Sequence, residues 1–199
     1  MNEEKLEQLK TKFNNLLLST KRVGIPALID YLETTDFYTA PASARYHYNE
    51  TGGLLVHSLN VYYELKKQFN NVSPIDEETH NSLLIIGLLH DVCKIGKYKI
   101  NERGIWKTIP STLPIGHAEK SVIMIQKFIS LTDDEIIAIR WHMGMFGVDK
   151  SNYTEYNDFN QAMDNKIVFL THISDWVCSR IIETDIERNV DSLLSRGEE

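Results

Sequence analysis

The stretch Leu83-Leu84-Ile85-Ile86-Gly87-Leu88-Leu89-His90-Asp91-Val92-Cys93-Lys94 decides the fold, because an apolar run passes here directly into polar side chains. A run this rich in Leu and Ile is typical of a buried helix, although the pattern does not wholly exclude a strand. Burying charged groups such as Asp91 and Lys94 is costly unless they are paired or bound to a metal ion. In a continuous helix, His90, Asp91 and Lys94 would face one cleft.

Adjacent His and Asp donors on a rigid helix are well suited to a divalent metal ion, because the helix fixes both donors at once. His90 and Asp91 therefore suggest a metal site. The simpler interpretation is a core histidine hydrogen-bonded to a capping aspartate, and the dipeptide alone does not decide between the two.

The composition is that of a globular protein. The chain has 199 residues, of which 42 % are hydrophobic and 25 % charged, so we expect one domain that buries a sizeable core. The formal net charge of −7 argues against a large nucleic-acid-binding surface. Cys93 and Cys178 are isolated, which predicts neither a disulfide scaffold nor a zinc knuckle.

The sequence also bears on location. The N-terminus is polar and acidic, unlike a secretory signal, and no apolar run reaches the roughly 18 residues of a membrane span. We therefore expect a soluble, cytoplasmic protein with no membrane contact.

Apolar residues at helical spacing predict an all-α fold with one small β-hairpin at 97–109. The segments 34–51 and 144–159 read as loops. The predicted organisation is one domain over 1–199, with N-terminal helices in 1–40, a core in 41–180 and a C-terminal helix in 181–199. The individual helices are predicted at 3–18, 26–33, 54–69, from about 75 to 95, 117–130, 133–142 and 160–182.

Six potential metal ligands lie on these predicted helices or at their ends: His57, His90, Asp91, His117, His142 and Asp175. Helical bundles hold metal ions in this way, with donors that project inward from facing helices. Six donors exceed the needs of one tetrahedral ion, so they suit one octahedral ion or two ions bridged by a carboxylate. Mixed nitrogen and oxygen donors favour Mn²⁺, Fe²⁺, Ni²⁺, Co²⁺ or Zn²⁺, and Mg²⁺ stays open.

Each donor has a simpler interpretation as well. His57 would ordinarily be a hydrogen-bonded core histidine, His117 a residue at a helix start, and His142 a cation near a helix C-terminus. His172, three residues before Asp175, is expected to support the ligands rather than to bind a metal ion.

The motifs around these donors resemble the HD-domain superfamily of metal-dependent phosphohydrolases. The order His57, His90-Asp91, Asp175 is similar to its H…HD…D signature, and the segments 52–57 (Gly-Gly-Leu-Leu-Val-His) and 88–96 resemble its conserved stretches. His117 and His142 are similar to the additional histidines of the binuclear subgroup. The resemblance covers about 41–180, and the HD domain of bacterial 3′→5′ exoribonucleases is similar in its Gly-Gly-Leu-Leu and Gly-His elements. Residues 1–40 are too short and too helical for the oligonucleotide-binding domain that usually precedes that domain.

The resemblance implies a function and a role for each ligand. His57, His90, Asp91 and Asp175 would hold a first ion, and Asp91 would bridge it to a second ion on His117 and His142. Metal-bound hydroxide would attack a phosphate ester of a nucleotide or short oligonucleotide, with Asp91 and Lys94 as the catalytic side chains. The alternatives are a non-catalytic HD module that senses a nucleotide and a di-iron oxygenase on the same fold.

Substrate contacts are expected near the mouth of the site. Lys94, Arg45 and His47 are the candidates for the phosphate, although a surface salt bridge explains Arg45 equally well. The lysine and arginine side chains of the predicted hairpin could bind a polyanionic substrate, or they could simply be exposed to solvent. One or two of six aromatic residues could stack a base: Tyr46, Tyr48, Trp106, Trp141, Phe146 and Tyr153.

Overall fold

The computed structural model describes residues 1–197 and confirms the all-α fold with one small β-hairpin. Within these residues, nine α-helices enclose one apolar core. In chain order the elements are α1 (Glu3–Ser19), α2 (Ile25–Glu33), α3 (Gly53–Asn70), α4 (Glu77–Leu89), β1 (Tyr98–Ile100), β2 (Trp106–Thr108), α5 (His117–Ile125), α6 (Asp133–Trp141), α7 (Tyr153–Met163), α8 (Lys166–Val177) and α9 (Ile186–Ser195).

Helix α3 lies at the centre, because it packs against α1, α4, α8 and α9. Most of its residues are buried, as its apolar sequence predicts. The apolar core runs without interruption from Leu9 in α1 to Leu193 in α9, so the N- and C-terminal helices share it with the central helices. This packing brings the ends of several helices to one place.

Side-chain caps fix where the helices begin. A capping box is present at α6, where Thr132 Oγ1 accepts from the amide of Glu135 and the Glu135 carboxylate accepts from the amide of Thr132. Asp76 caps α4 by accepting from the amide of Thr79. These caps satisfy backbone donors that a helix leaves unpaired at its N-terminus.

The helix that precedes the His-Asp pair is shorter than predicted. Helix α4 ends at Leu89 rather than near residue 95, and Asp91 has left helical geometry with φ −107° and ψ 14°. A single 3₁₀ turn, Val92–Lys94, follows. The three polar side chains therefore reach one cleft through a break at the helix end and not along a continuous helical face.

The region after residue 144 also differs from its prediction. Helix α7 lies partly in the segment predicted as a loop, because Asn152 caps a new helix there. The single helix predicted over 160–182 is broken, since Asn165 caps α8 and starts it at Lys166. A π-helical turn, Cys178–Ile182, then extends α8. The helix predicted over 117–130 ends at Ile125.

The hairpin forms as predicted. Tyr98 pairs with Thr108, and Ile100 pairs with Trp106, in an antiparallel register. Gly104 at the turn has φ +71°, a conformation that glycine adopts without steric cost. Of the predicted C-terminal segment, α9 covers Ile186–Ser195, and residues 198–199 lie outside the described part of the chain. No helix among the described residues is long and apolar enough to cross a membrane.

Replacing Gly87 by alanine should destabilise the fold. A Cβ at this position would lie 2.5 Å from Cα and 2.8 Å from Cβ of Tyr62, so α3 and α4 would have to move apart. The higher helix propensity of alanine contributes about 1 kcal/mol in the other direction. We expect a net loss of about 1–3 kcal/mol in the free energy of unfolding, measured by chemical denaturation.

Gly147→Ala is the matched control. A Cβ there would meet its nearest atoms only at 3.8 Å, so the free energy of unfolding should change by less than about 0.5 kcal/mol. Equal stability of the two variants would contradict the close approach of α3 and α4.

Candidate metal centre

The six predicted ligands meet at one point in the structure, where five helices contribute side chains. The donors come from α3 (His57), the end of α4 (His90 and Asp91), the start of α5 (His117), the end of α6 (His142) and α8 (Asp175). A cleft of about 580 Å³ opens onto five of them, and His90 lies fully buried among the others. Residues up to 118 positions apart in sequence thus form one cluster, since His57 and Asp175 are both members.

The carboxylate of Asp91 divides the cluster into two halves. Its Oδ2 lies 3.5 Å from Nε2 of His57 and 3.5 Å from Nε2 of His90. Its Oδ1 lies 2.7 Å from Nε2 of His117 and 3.7 Å from Nε2 of His142. Each oxygen therefore faces its own pair of imidazoles, which is the arrangement that a bridging carboxylate requires.

Asp175 completes the first half of the cluster. Its Oδ1 lies 3.3 Å from Nε2 of His57, and Nε2 of His57 lies 3.3 Å from Nε2 of His90. Two imidazole nitrogens and the oxygens of two carboxylates thus converge within a few ångströms. Mixed nitrogen and oxygen sets of this kind bind first-row divalent metal ions.

Hydrogen bonds orient the imidazoles so that each Nε2 points into the cluster. The Nδ1–H groups of His90 and His142 donate to the carbonyls of Gly87 and Ile139, at 3.0 Å and 2.7 Å. A carbonyl only accepts, so the proton of each neutral ring must lie on Nδ1. Each Nε2 then presents a lone pair, as a metal ligand must.

This arrangement of ring nitrogens requires positive charge at the centre of the cluster. The Nε2 atoms of His57 and His90 face each other at 3.3 Å, and their lone pairs repel unless a proton or a metal ion lies between them. Nε2 of His142 is buried and has no hydrogen-bond partner among the described residues. An unsatisfied buried group costs about 1–3 kcal/mol. Metal ions at this position would satisfy all three nitrogens, so the residues present fit a metal centre.

The electrostatics of His90 and of the two aspartates agree with this fit. Burial lowers the pKa of His90 to about 3, so this ring is neutral at neutral pH. Burial by itself would raise the pKa values of Asp91 and Asp175, but neighbouring cations, Lys94 for Asp91 and His57 for Asp175, hold both below their usual range. Ionised carboxylates and neutral imidazoles are the states that bind metal ions.

Glu183 contacts the cluster, although the sequence analysis did not single it out. Its buried carboxylate accepts from Nδ1 of His57, with N–O distances of 2.9 Å and 3.1 Å, and from the side-chain amide of Asn60. Burial would lower the pKa of His57, but the charge of Glu183 and the nearby aspartates raise it well above normal. Without a metal ion, a proton on His57 therefore supplies the positive charge. The π-helical turn Cys178–Ile182 determines where Glu183 lies, and sequence periodicity does not indicate such a turn.

Cys93 and Lys97 also touch the second half of the cluster. Sγ of Cys93 and Nζ of Lys97 each lie 3.3 Å from Nδ1 of His117. Burial raises the pKa of the Cys93 thiol to about 12, so the sulfur stays protonated at neutral pH. His172, expected to support the ligands, has its Nδ1–H on the carbonyl of His142 at 2.8 Å.

The three residues expected to contact substrate differ in where they lie. Lys94 and His47 line the cleft, and Nζ of Lys94 lies 2.6 Å from Oδ2 of Asp91. Burial lowers the pKa of His47 to about 4, so that ring is neutral. Arg45 is exposed and does not line the cleft, because the turn held by Ser43 Oγ directs it outward.

The aromatic residues separate in the same way. Tyr46 and Phe146 line the cleft. Tyr48 and Trp141 are buried, as most aromatic side chains are. Trp106 on the hairpin and the exposed Tyr153 are not among the residues that line it.

Comparison with known proteins adds no assignment. No protein-family model, no curated protein and no solved structure matches this chain. The donors, their distances and their burial are therefore the observations that bear on function.

Glu183→Gln should weaken metal binding without removing a ligand. The amide keeps the size of the side chain but loses the negative charge that orients His57 and strengthens its Nε2 as a donor. Loss of such a supporting carboxylate typically costs about 10- to 100-fold in metal affinity. Titration with Mn²⁺ against a chromophoric chelator measures the affinity.

Glu187→Gln provides the control for this experiment. Glu187 lies on α9, is half exposed and pairs with the N-terminus. This variant should bind Mn²⁺ like the unmodified protein, whereas an undiminished affinity in Glu183→Gln would show that His57 needs no carboxylate behind it.

Proposed function

We propose that this chain is a divalent-metal-dependent phosphohydrolase that cleaves a phosphate ester of a nucleotide or short oligonucleotide. The observation that carries the proposal is the Asp91 carboxylate, whose two oxygens face two separate pairs of imidazoles. Two divalent ions held by these residues would supply an activated water molecule near neutral pH and would polarise the phosphate ester. The order of the donors along the chain supports membership of the HD-domain superfamily.

The residues divide between two metal positions. His57, His90 and Asp175 would hold one ion on the Oδ2 side of Asp91, since their donor atoms lie within 4.8 Å of one another. His117 and His142 would hold the other on the Oδ1 side. Their Nδ1 contacts keep the rings from turning away, which fixes the donors before substrate binds.

Lys94 supports a phosphate-containing substrate. Burial would lower its pKa, but the Asp91 carboxylate raises it above the ordinary value, so the ammonium stays charged at neutral pH. The side chain lines the cleft beside the metal ligands, together with Lys97 and Arg180. In a chain of net charge −7, three cations around one cleft favour an anionic ligand. A fixed cation there would stabilise the charge that develops on phosphate oxygens.

The size of the cleft favours a small substrate. Its volume of about 580 Å³ lies within the range of small-molecule sites, about 300–1,000 Å³. A mononucleotide or the end of a short oligonucleotide would fill it. A non-catalytic sensing module does not need the full donor set or the buried Lys94, so the presence of both favours a hydrolase over such a module.

Asp91→Asn should abolish hydrolysis together with metal binding, because it removes a charge that both metal positions share. Phosphate release from a panel of nucleotides and short oligonucleotides in added Mn²⁺ measures activity, and elemental analysis measures bound metal. Bound iron without phosphate release from any panel member would instead point to the oxygenase.

Lys94→Met should separate catalysis from metal binding. Methionine fills the same buried space but carries no charge, so we expect the metal content to persist while kcat/KM falls by about 10²–10³. Lys99→Met on the hairpin, which is exposed and does not line the cleft, should leave both quantities unchanged. If Lys94→Met retained full kcat/KM, Lys94 would have no part in phosphate recognition.

A further inference from the structure

Three large aromatic side chains stand exposed around the mouth of the cleft. Tyr46, Phe146 and Trp176 all line it, and they are 81 %, 73 % and 47 % exposed. Exposed aromatic surface concentrated at one opening marks a place where a ligand is bound, since single exposed side chains are normally scattered. Trp176 was not among the aromatic residues that the sequence suggested for stacking.

Trp176 packs against two neighbouring rings and is still partly exposed. The His172 ring stacks on the indole, with centroids 5.6 Å apart and an interplanar angle of 27°. Phe146 meets the indole edge-on, with centroids 6.4 Å apart at 69°. The indole is thus held by two rings, and close to half of the residue stays accessible.

The same contacts tie Trp176 to the metal centre. His172 donates to the carbonyl of His142, and Trp176 directly follows Asp175 in α8. Gly144, with φ +57°, lies against the His172 ring so closely that a Cβ would be 2.4 Å from its Cε1. The distance between the indole and the metal ligands is therefore set by two separate segments of the chain.

We infer that Trp176 is the platform on which the base of the substrate stacks while its phosphate lies at the metal ligands and Lys94. This inference rests on the proposed function and specifies its substrate as a phosphate ester that carries a planar heterocycle. Base–aromatic stacking contributes about 10- to 100-fold in affinity and tolerates different bases. The cleft then selects nucleotides over other phosphate esters while discriminating little among the bases.

Hydrolysis of two substrates that differ only in the base tests the inference. KM should be about 10- to 100-fold lower for adenosine 5′-monophosphate than for ribose 5-phosphate with the Mn²⁺-loaded protein. Trp176→Leu should remove this preference, and Trp176→Phe, which keeps a ring, should restore part of it. Phe169→Leu is the matched control, because Phe169 is also 47 % exposed on α8 and does not line the cleft.

A binding measurement keeps the test independent of catalysis. The indole N–H resonance of Trp176, assigned through Trp176→Phe, should shift on addition of adenosine and not of ribose, while those of Trp106 and Trp141 stay in place. If both esters released phosphate with equal KM and the indole resonance did not shift, the stacking role of Trp176 would be wrong. The proposed phosphohydrolase activity would still hold. An indole shift without phosphate release would support the platform and overturn the phosphohydrolase.

Discussion

The buried carboxylate of Asp91 is the group on which the rest of the structure depends, because a negative charge removed from water needs positive charge beside it. Asp91 is 3 % exposed and is surrounded by Lys94 and four imidazoles. The Nε2 atoms of His57 and His90 face each other at 3.3 Å, and Nε2 of His142 has no hydrogen-bond partner among the described residues. The cluster is therefore balanced when cations occupy it, which is the physical basis for a metal centre.

The ends of several helices supply the side chains that surround Asp91 and the carbonyls that orient them. Helix α4 ends at Leu89, and His90 follows directly with its side chain buried in the cluster. The 3₁₀ turn after Asp91 places Lys94 where its ammonium contacts the Asp91 carboxylate. Helix α5 begins at His117, and His142 directly follows the last residue of α6. Helix ends leave carbonyls free to accept hydrogen bonds, and those of Gly87 and Ile139 fix the two buried rings. The exposed aromatic residues at the mouth of the cleft are connected to a helix end as well. His172 stacks on Trp176 and donates a hydrogen bond to the carbonyl of His142.

The fold class and the set of six donors could both be predicted from the sequence, because both are visible in local patterns. Apolar periodicity predicted the helices, and polar donors interrupting it indicated the cluster. The breaks were missed where short-range capping overrides periodicity, as Asn152 and Asn165 do around α7 and α8. Glu183 was missed because a π-helical turn places it beside His57. The outward position of Arg45 depends on a turn within the 34–51 loop, which periodicity does not describe.

The most direct test of a metal centre is the metal content of the protein as purified, by elemental analysis, after dialysis against metal-free buffer. We expect about two divalent ions per chain, lost in parallel when His57, Asp91 or His142 is replaced. Absence of bound metal, with no uptake of Mn²⁺, Zn²⁺ or Fe²⁺ on addition, would contradict it. The cluster would then be a hydrogen-bonded core balanced by protons and Lys94.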